Sequence, residues 1–251
     1  MQSADLALRL FPSVSGPHIP LDNRAAISLR AGAASDAAWS YRSSILSIVA
    51  SLNALEAGYR SWPVVQLYYS VFYSVRSILL SNSICLYHNS SKPMQIEGVA
   101  GQVPRQLTFK GAGSSHIGAF RVFSSKFPEN PLNGEIDFEP ATDWMRRLRE
   151  TVNYQQSQMN MDDRLRQFTR VDREGVRRAL GAYLQDIELY AFLPEDAALA
   201  FPLYAAQQAL RSLPVEARRE CRDLVQDIAA RARDGTGALA SFVSFVPELA
   251  T

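Results

Sequence analysis

The sequence predicts an all-α fold, an antiparallel helical bundle with one small β-like or loop insert and a helical C-terminal extension. Three observations lead to it. Ile45, Ile48, Val49, Leu52 and Leu55 recur at i, i+3, i+4 and i+7, the period of a helix buried on one face. Pro63 then opens a second, strongly apolar helix after a turn of a few residues, so the two fold back on each other as an antiparallel hairpin. Most of the chain beyond Ala141 returns to the helical period.

The elements follow in order. Residues 1–34, rich in Pro, Gly and Ser from residue 12 onward, read as an extended lead-in. Ser35-Asp36 is a good N-cap pair for a first helix running to about Gly58. Tyr59 to Trp62 form the turn, and Pro63 to Ser81 the second helix, with Tyr68, Tyr69, Phe72, Tyr73 and Arg76 along it. Residues 84–114 change character, with Gly, Pro, Asn and Ser between short β-like pieces, 84–87 and 106–109. A helix starts near Ser114-Ser115 and carries His116, Phe120 and Phe123. A loop from Pro128 to Pro140 leads to a helix over 141–157 with Trp144, Leu148 and Val152 on one face. Further helices are expected over 172–193, over 195–213 with a kink at Pro202, over 214–234, which begins with Pro and stops before Gly235, and over 238–246. The domain reading is therefore a lead-in (1–34), a helical domain (35–192, insert 84–114) and a helical extension (193–251).

Composition bounds the function. The chain has 251 residues, 47% hydrophobic and 20% charged, which excludes disordered, collagen-like and low-complexity classes. The net charge of +1 excludes a polybasic protein, yet the charge is uneven. Residues 146–180 hold nine arginines against five acids, whereas 181–251 hold ten acids against six arginines. A basic stretch is a phosphate-binding surface or a solvated face whose charges pair with the acidic end. Only Lys92, Lys110 and Lys126 are lysines, a bias that codon composition would also produce. Cys85, Cys221 and three histidines have no zinc-site spacing. No signal peptide and no membrane span are expected, and the protein reads as cytoplasmic.

No P-loop, dinucleotide-binding, nucleophile-elbow or zinc-protease motif is present. Residues 111–115 (Gly-Ala-Gly-Ser-Ser) precede a helix, where backbone N–H groups can hold an anion or simply cap the helix. Asp162-Asp163 reads as a helix cap, and Glu135, Asp137 and Glu139 as an exposed strand or loop. No metal site or cofactor is expected. The more informative set is Tyr68-Tyr69, Arg76, His116 and the run from Arg147 to Tyr154, which holds Arg149 and Asn153, with Arg146 just before it. On a helix, Arg149 and Asn153 are i, i+4 neighbours and Tyr154 lies one position further round, so a guanidinium, an amide and a phenol can meet a phosphate or a base edge. The alternative is that Arg149 pairs with a carboxylate and Tyr154 packs inward.

The helix from Tyr68 to Leu80, the Ser115-His116-Ile117-Gly118-Ala119-Phe120 piece and Arg149-Glu150-Thr151-Val152-Asn153-Tyr154 together resemble HEPN domains (higher eukaryote and prokaryote nucleotide-binding domains), over about residues 36–192. The resemblance implies a helical bundle, and for the family's active ribonucleases a metal-independent RNA cleavage by dimers, with Arg followed after four to six residues by His. Here Arg149 matches the Arg, Tyr154 stands where the shortest motif places His, and no His follows. The resemblance therefore implies a non-catalytic binding or scaffold module in a prokaryotic antiviral or toxin–antitoxin assembly. Its partner is a protein encoded nearby or a second copy, with RNA or a nucleotide as a further ligand. The alternative is an endoribonuclease using Arg149 with Tyr154 or His116.

Overall fold

The computed structural model describes residues 2–12, 19–155, 165–232 and 242. It is mainly helical. The centre is an antiparallel hairpin of α2 (Asn23–Glu56) and α3 (Ser61–Ser81). Its seam is built from small side chains: Ser40, Ser44 and Ser51 on α2 face Ser70, Ser74 and Ser77 on α3, all buried. Hydroxyls in such a seam need partners, and all but that of Ser40 have one among the described residues. Ser44 and Ser74 share a hydrogen bond of 2.8 Å, and Ser77 donates to the carbonyl of Ala37 at 2.9 Å. Around the seam, Leu29, Ile45, Ile48 and Leu52 of α2 and Leu67, Tyr68, Val71 and Val75 of α3 are fully enclosed.

The start of α2 corrects the expected lead-in. Residues 23–34 are helical, and the cap is Asp22, whose carboxylate accepts from the N–H of Ala25 at 2.7 Å. Ala26, Leu29, Ala33 and Ala37 form a narrow buried stripe, which small residues disguise in the sequence. Upstream, α1 (Ser3–Leu10) is also helical, and Asp36 accepts from the N–H and hydroxyl of Ser3, tying α1 to α2.

The insert is a three-stranded antiparallel sheet of β1 (Ile84–Asn89), β2 (Lys92–Glu97) and β3 (Arg105–Gln106), with β2 in the middle. Ser90 and Ser91, both at positive φ (47° and 67°), make the two-residue turn. Then come α4 (Ser115–Lys126) and a small hairpin, β4 (Glu135–Ile136) with β5 (Glu139–Pro140). Asp137 and Phe138 turn it at φ 54° and 62°, and Phe138 is 96% exposed.

α5 (Ala141–Glu150) buries Trp144, Met145 and Leu148 and passes into a π-helical turn, Thr151–Gln155. The remainder of the expected 141–157 helix, and Asp162-Asp163, lie outside the described residues. The helix expected over 172–193 is broken into α6 (Thr169–Glu174), α7 (Val176–Gln185) and α8 (Ile187–Tyr190). Gly175, at φ 83°, separates the first two, a backbone state only glycine takes freely.

α9 (Ala197–Ser212), the first helix of the expected C-terminal extension, packs on the core. Ala197 to Ala206 are all buried, and the helix lies against α2 and α3 in the same core, with Pro202 inside it. α10 (Val215–Ala232) lies on α2. Apart from Phe242, the segment expected as a last helix over 238–246 lies outside the described residues. No helix among the described residues is long and apolar enough to cross a membrane.

Candidate functional site: the Arg149–His116 cluster

Three helices bring this site together. α3 is mostly buried, and its aromatic residues at positions 68, 69 and 72 meet His116 of α4. α4 presents His116 from its first turn. The imidazole stacks on Phe72 with centroids 4.0 Å apart and on Tyr68 at 5.5 Å, and it meets the edge of Tyr69 at 5.3 Å. α5 presents Arg149 from its last turn, with the guanidinium carbon 4.7 Å from the centre of the same Tyr68 ring. A cation over an aromatic face is attracted by the ring quadrupole, so Tyr68 holds Arg149 in place.

The polar accounting around these groups is incomplete. Arg149 reaches Glu150 at 3.3 Å through one terminal nitrogen, and its Nε is buried without a partner among the described residues. The same is true of His116 Nδ1 and of Arg146 Nε. Arg146 otherwise binds Glu150 at 3.1 Å and Asp143 at 3.4 Å. Buried donors and acceptors normally have partners, and these three nitrogens have none among the described residues.

Electrostatics follow from the same contacts. Burial pushes the His116 pKa below its ordinary value, and the positive charge of Arg149 pushes it further down, so the imidazole is neutral at neutral pH. Burial raises the Tyr68 phenol to about 12, with Arg149 and Arg146 opposing that rise. A neutral imidazole beside a fixed guanidinium can accept a proton, while the guanidinium binds an anionic oxygen.

A row of rings leads away from the cluster. Tyr69 lies 6.3 Å from Tyr73, and Tyr73 lies 6.2 Å from Trp39 of α2, which is 58% exposed. Periodicity alone assigns Trp39 no role; its spacing from Tyr73 is a product of the α2–α3 hairpin.

The expected site residues divide. His116, Arg146 and Arg149 converge. Arg147 points elsewhere and binds Glu139 at 2.8 Å. Asn153 is exposed in the π turn, which adds residues to the turn and breaks the i, i+4 phase with Arg149. The backbone of Tyr154 belongs to that turn, and its side chain lies outside the described residues. Arg76 sits one turn past Phe72 and lines a separate cleft. Elsewhere in the basic middle, Arg170 binds Asp196 at 2.9 Å and Arg173 binds Glu174, so those charges are internally matched. Among the described residues no group of His, Cys, Asp and Glu is placed to hold a metal ion. The chain matches no family model, no curated protein and no solved structure.

Proposed function

We propose that the chain is a HEPN-like, non-catalytic binding module that holds single-stranded RNA or a nucleotide. Arg149, aided by Arg146, takes a phosphate, and the half-buried rings of Tyr69 and Tyr73 with the exposed Trp39 take the neighbouring bases. The observation that carries this reading is the meeting of Arg149 and His116 on Tyr68, with buried nitrogens left unsatisfied. Arg binds phosphate in a planar, bidentate manner, and aromatic rings stack bases without regard to sequence. Placement in a prokaryotic antiviral or toxin–antitoxin assembly, beside a protein encoded nearby or a second copy, rests on the sequence resemblance.

A second reading has one specific observation in its favour. His116 is held neutral next to Arg149, the state a general base needs to take the proton of a ribose 2′-hydroxyl while Arg149 stabilises the charged phosphate. In this reading the His that the family motif places after Arg comes instead from α4.

Fluorescence anisotropy with a short labelled single-stranded RNA tests both, followed by electrophoresis of the same RNA after incubation in EDTA. Binding without cleavage, weakened about tenfold or more by Arg149→Gln, is the expected result. Cleavage in EDTA that is lost in His116→Ala supports the second reading. Absence of RNA and nucleotide binding at all concentrations rejects both.

A further inference from the structure

His116 and Arg149 share one ring. The imidazole stacks on Tyr68 with centroids 5.5 Å apart, and the Arg149 guanidinium carbon lies 4.7 Å from the centre of the same ring. The two groups are therefore separated by no more than about 10 Å, the Debye length in 0.1 M salt. His116 is half-buried, so a charge on it is screened less than one in open water.

A proton on His116 meets two opposing influences. The faces of Phe72, at 4.0 Å, and of Tyr68 attract a cation. Burial and the positive charge of Arg149 oppose it and hold the imidazole neutral. A phosphate on Arg149 brings negative charge to the neighbour that does the opposing. It cancels that repulsion and leaves the attraction of the rings in place.

Other charged and titratable groups stand nearby. α5 brings Arg146 with its carboxylate partners Asp143 and Glu150. α3 brings Arg76, one turn beyond Phe72, and the phenols of Tyr69 and Tyr68, the latter raised to about 12 by burial. Ahead of α4, His88 of β1 reaches the Gly113 carbonyl at 3.3 Å. Only carboxylates and histidines change charge in mild acid, and Asp143, Glu150 and His88 all stay in place when His116 alone is replaced.

We propose that phosphate binding at Arg149 and protonation of His116 are coupled, so that the chain holds single-stranded RNA more tightly as the pH falls; the coupling rests on Arg149 taking a phosphate, as proposed above. The link is Coulombic and needs no contact between imidazole and phosphate. It is reciprocal: bound RNA eases protonation of His116, and protonated His116 strengthens RNA binding by the same factor. The RNA-bound chain keeps the proton to higher pH than the free chain. The gain is absent at high pH and grows as the pH falls through the interval between the two titrations.

Anisotropy of a labelled oligouridylate without terminal phosphates tests this between about pH 5 and pH 8. Its uracils and phosphodiesters do not titrate there, whereas a terminal phosphate would, at about pH 6. The unaltered chain is expected to bind at least about fivefold more tightly at the acid end, the low edge of typical couplings between sites. His116→Gln should lose most of that gain, and His88→Gln should keep it. Equal gains in a folded His116→Gln variant and the unaltered chain, or loss of the gain in His88→Gln alone, would overturn the coupling. Circular-dichroism melts show whether each variant is folded. Proton NMR of the unaltered chain decides the matter if His116→Gln unfolds: the His116 ring signal should titrate at higher pH with oligouridylate bound, and an unmoved or lowered midpoint would overturn the coupling. RNA binding without any His116 dependence rejects the coupling alone, whereas absence of RNA binding at every pH rejects the Arg149 reading and the coupling together.

Discussion

Arg170 and Asp196 form the most enclosed ion pair of the molecule's described part: Arg170 Nε donates to Asp196 Oδ1 at 2.9 Å, and the carboxylate side chain is 2% exposed. Tyr183 donates its hydroxyl to the same oxygen at 2.9 Å. The pair ties α6 and α7 to the start of α9. Removing one partner of a buried pair leaves a charge without compensation. Arg170→Ala is therefore expected to destabilise the fold by about 3–5 kcal/mol in urea unfolding. Tyr183→Phe, which leaves the ion pair in place but removes a hydrogen bond to the buried carboxylate, should cost about 1.5–3 kcal/mol.

Gly134 meets Phe192 so closely that a Cβ built there would stand 2.6 Å from the ring's Cε1. Gly134→Ala must displace that ring, and overpacking of this kind costs about 1–3 kcal/mol. The double variant Gly134→Ala, Phe192→Leu should recover part of the loss. Simple additivity of the two single effects would show that the ring is not the obstacle.

His116 makes stability depend on pH in a defined direction. Its folded pKa is depressed below the ordinary 6.5, first by burial and second by Arg149. The unfolded chain therefore binds the proton more readily than the folded one. The contribution of neutral His116 is complete above about pH 6.5 and is lost as the pH falls through the folded pKa. The melting temperature of the unaltered chain should fall more steeply below pH 6.5 than that of His116→Gln. Parallel curves would mean that His116 titrates as freely as an exposed histidine.

The helical hairpin was legible in the sequence because Ile45 to Leu55 and the stretch after Pro63 carry large apolar residues at helical period. The early start of α2 was not, since its buried stripe is alanine and its Gly32 reads as loop composition. β2 was hidden by Pro93, which has no N–H to give a sheet; here it serves only as acceptor, taking the N–H of Leu107 at 2.9 Å. A single glycine, Gly175, divides what periodicity joins. At the site, Arg149 and His116 were both visible as residue types, but their meeting on Tyr68 is a contact between α3, α4 and α5 that no local pattern encodes. Asn153 stands apart from that meeting because the π turn changes the helical phase, and Arg76 because it lines the cleft beside the hairpin insert.

The central claim is that Arg149 takes a phosphate of single-stranded RNA. The most direct measurement is the salt dependence of RNA affinity in the unaltered chain and in Arg149→Gln, by anisotropy across a salt series. Each phosphate contact on a single strand adds about 0.7 to the slope of log affinity against log salt concentration. The account predicts weaker binding by Arg149→Gln together with a slope smaller by about that amount. Equal affinity and equal slope in a folded Arg149→Gln variant would contradict it.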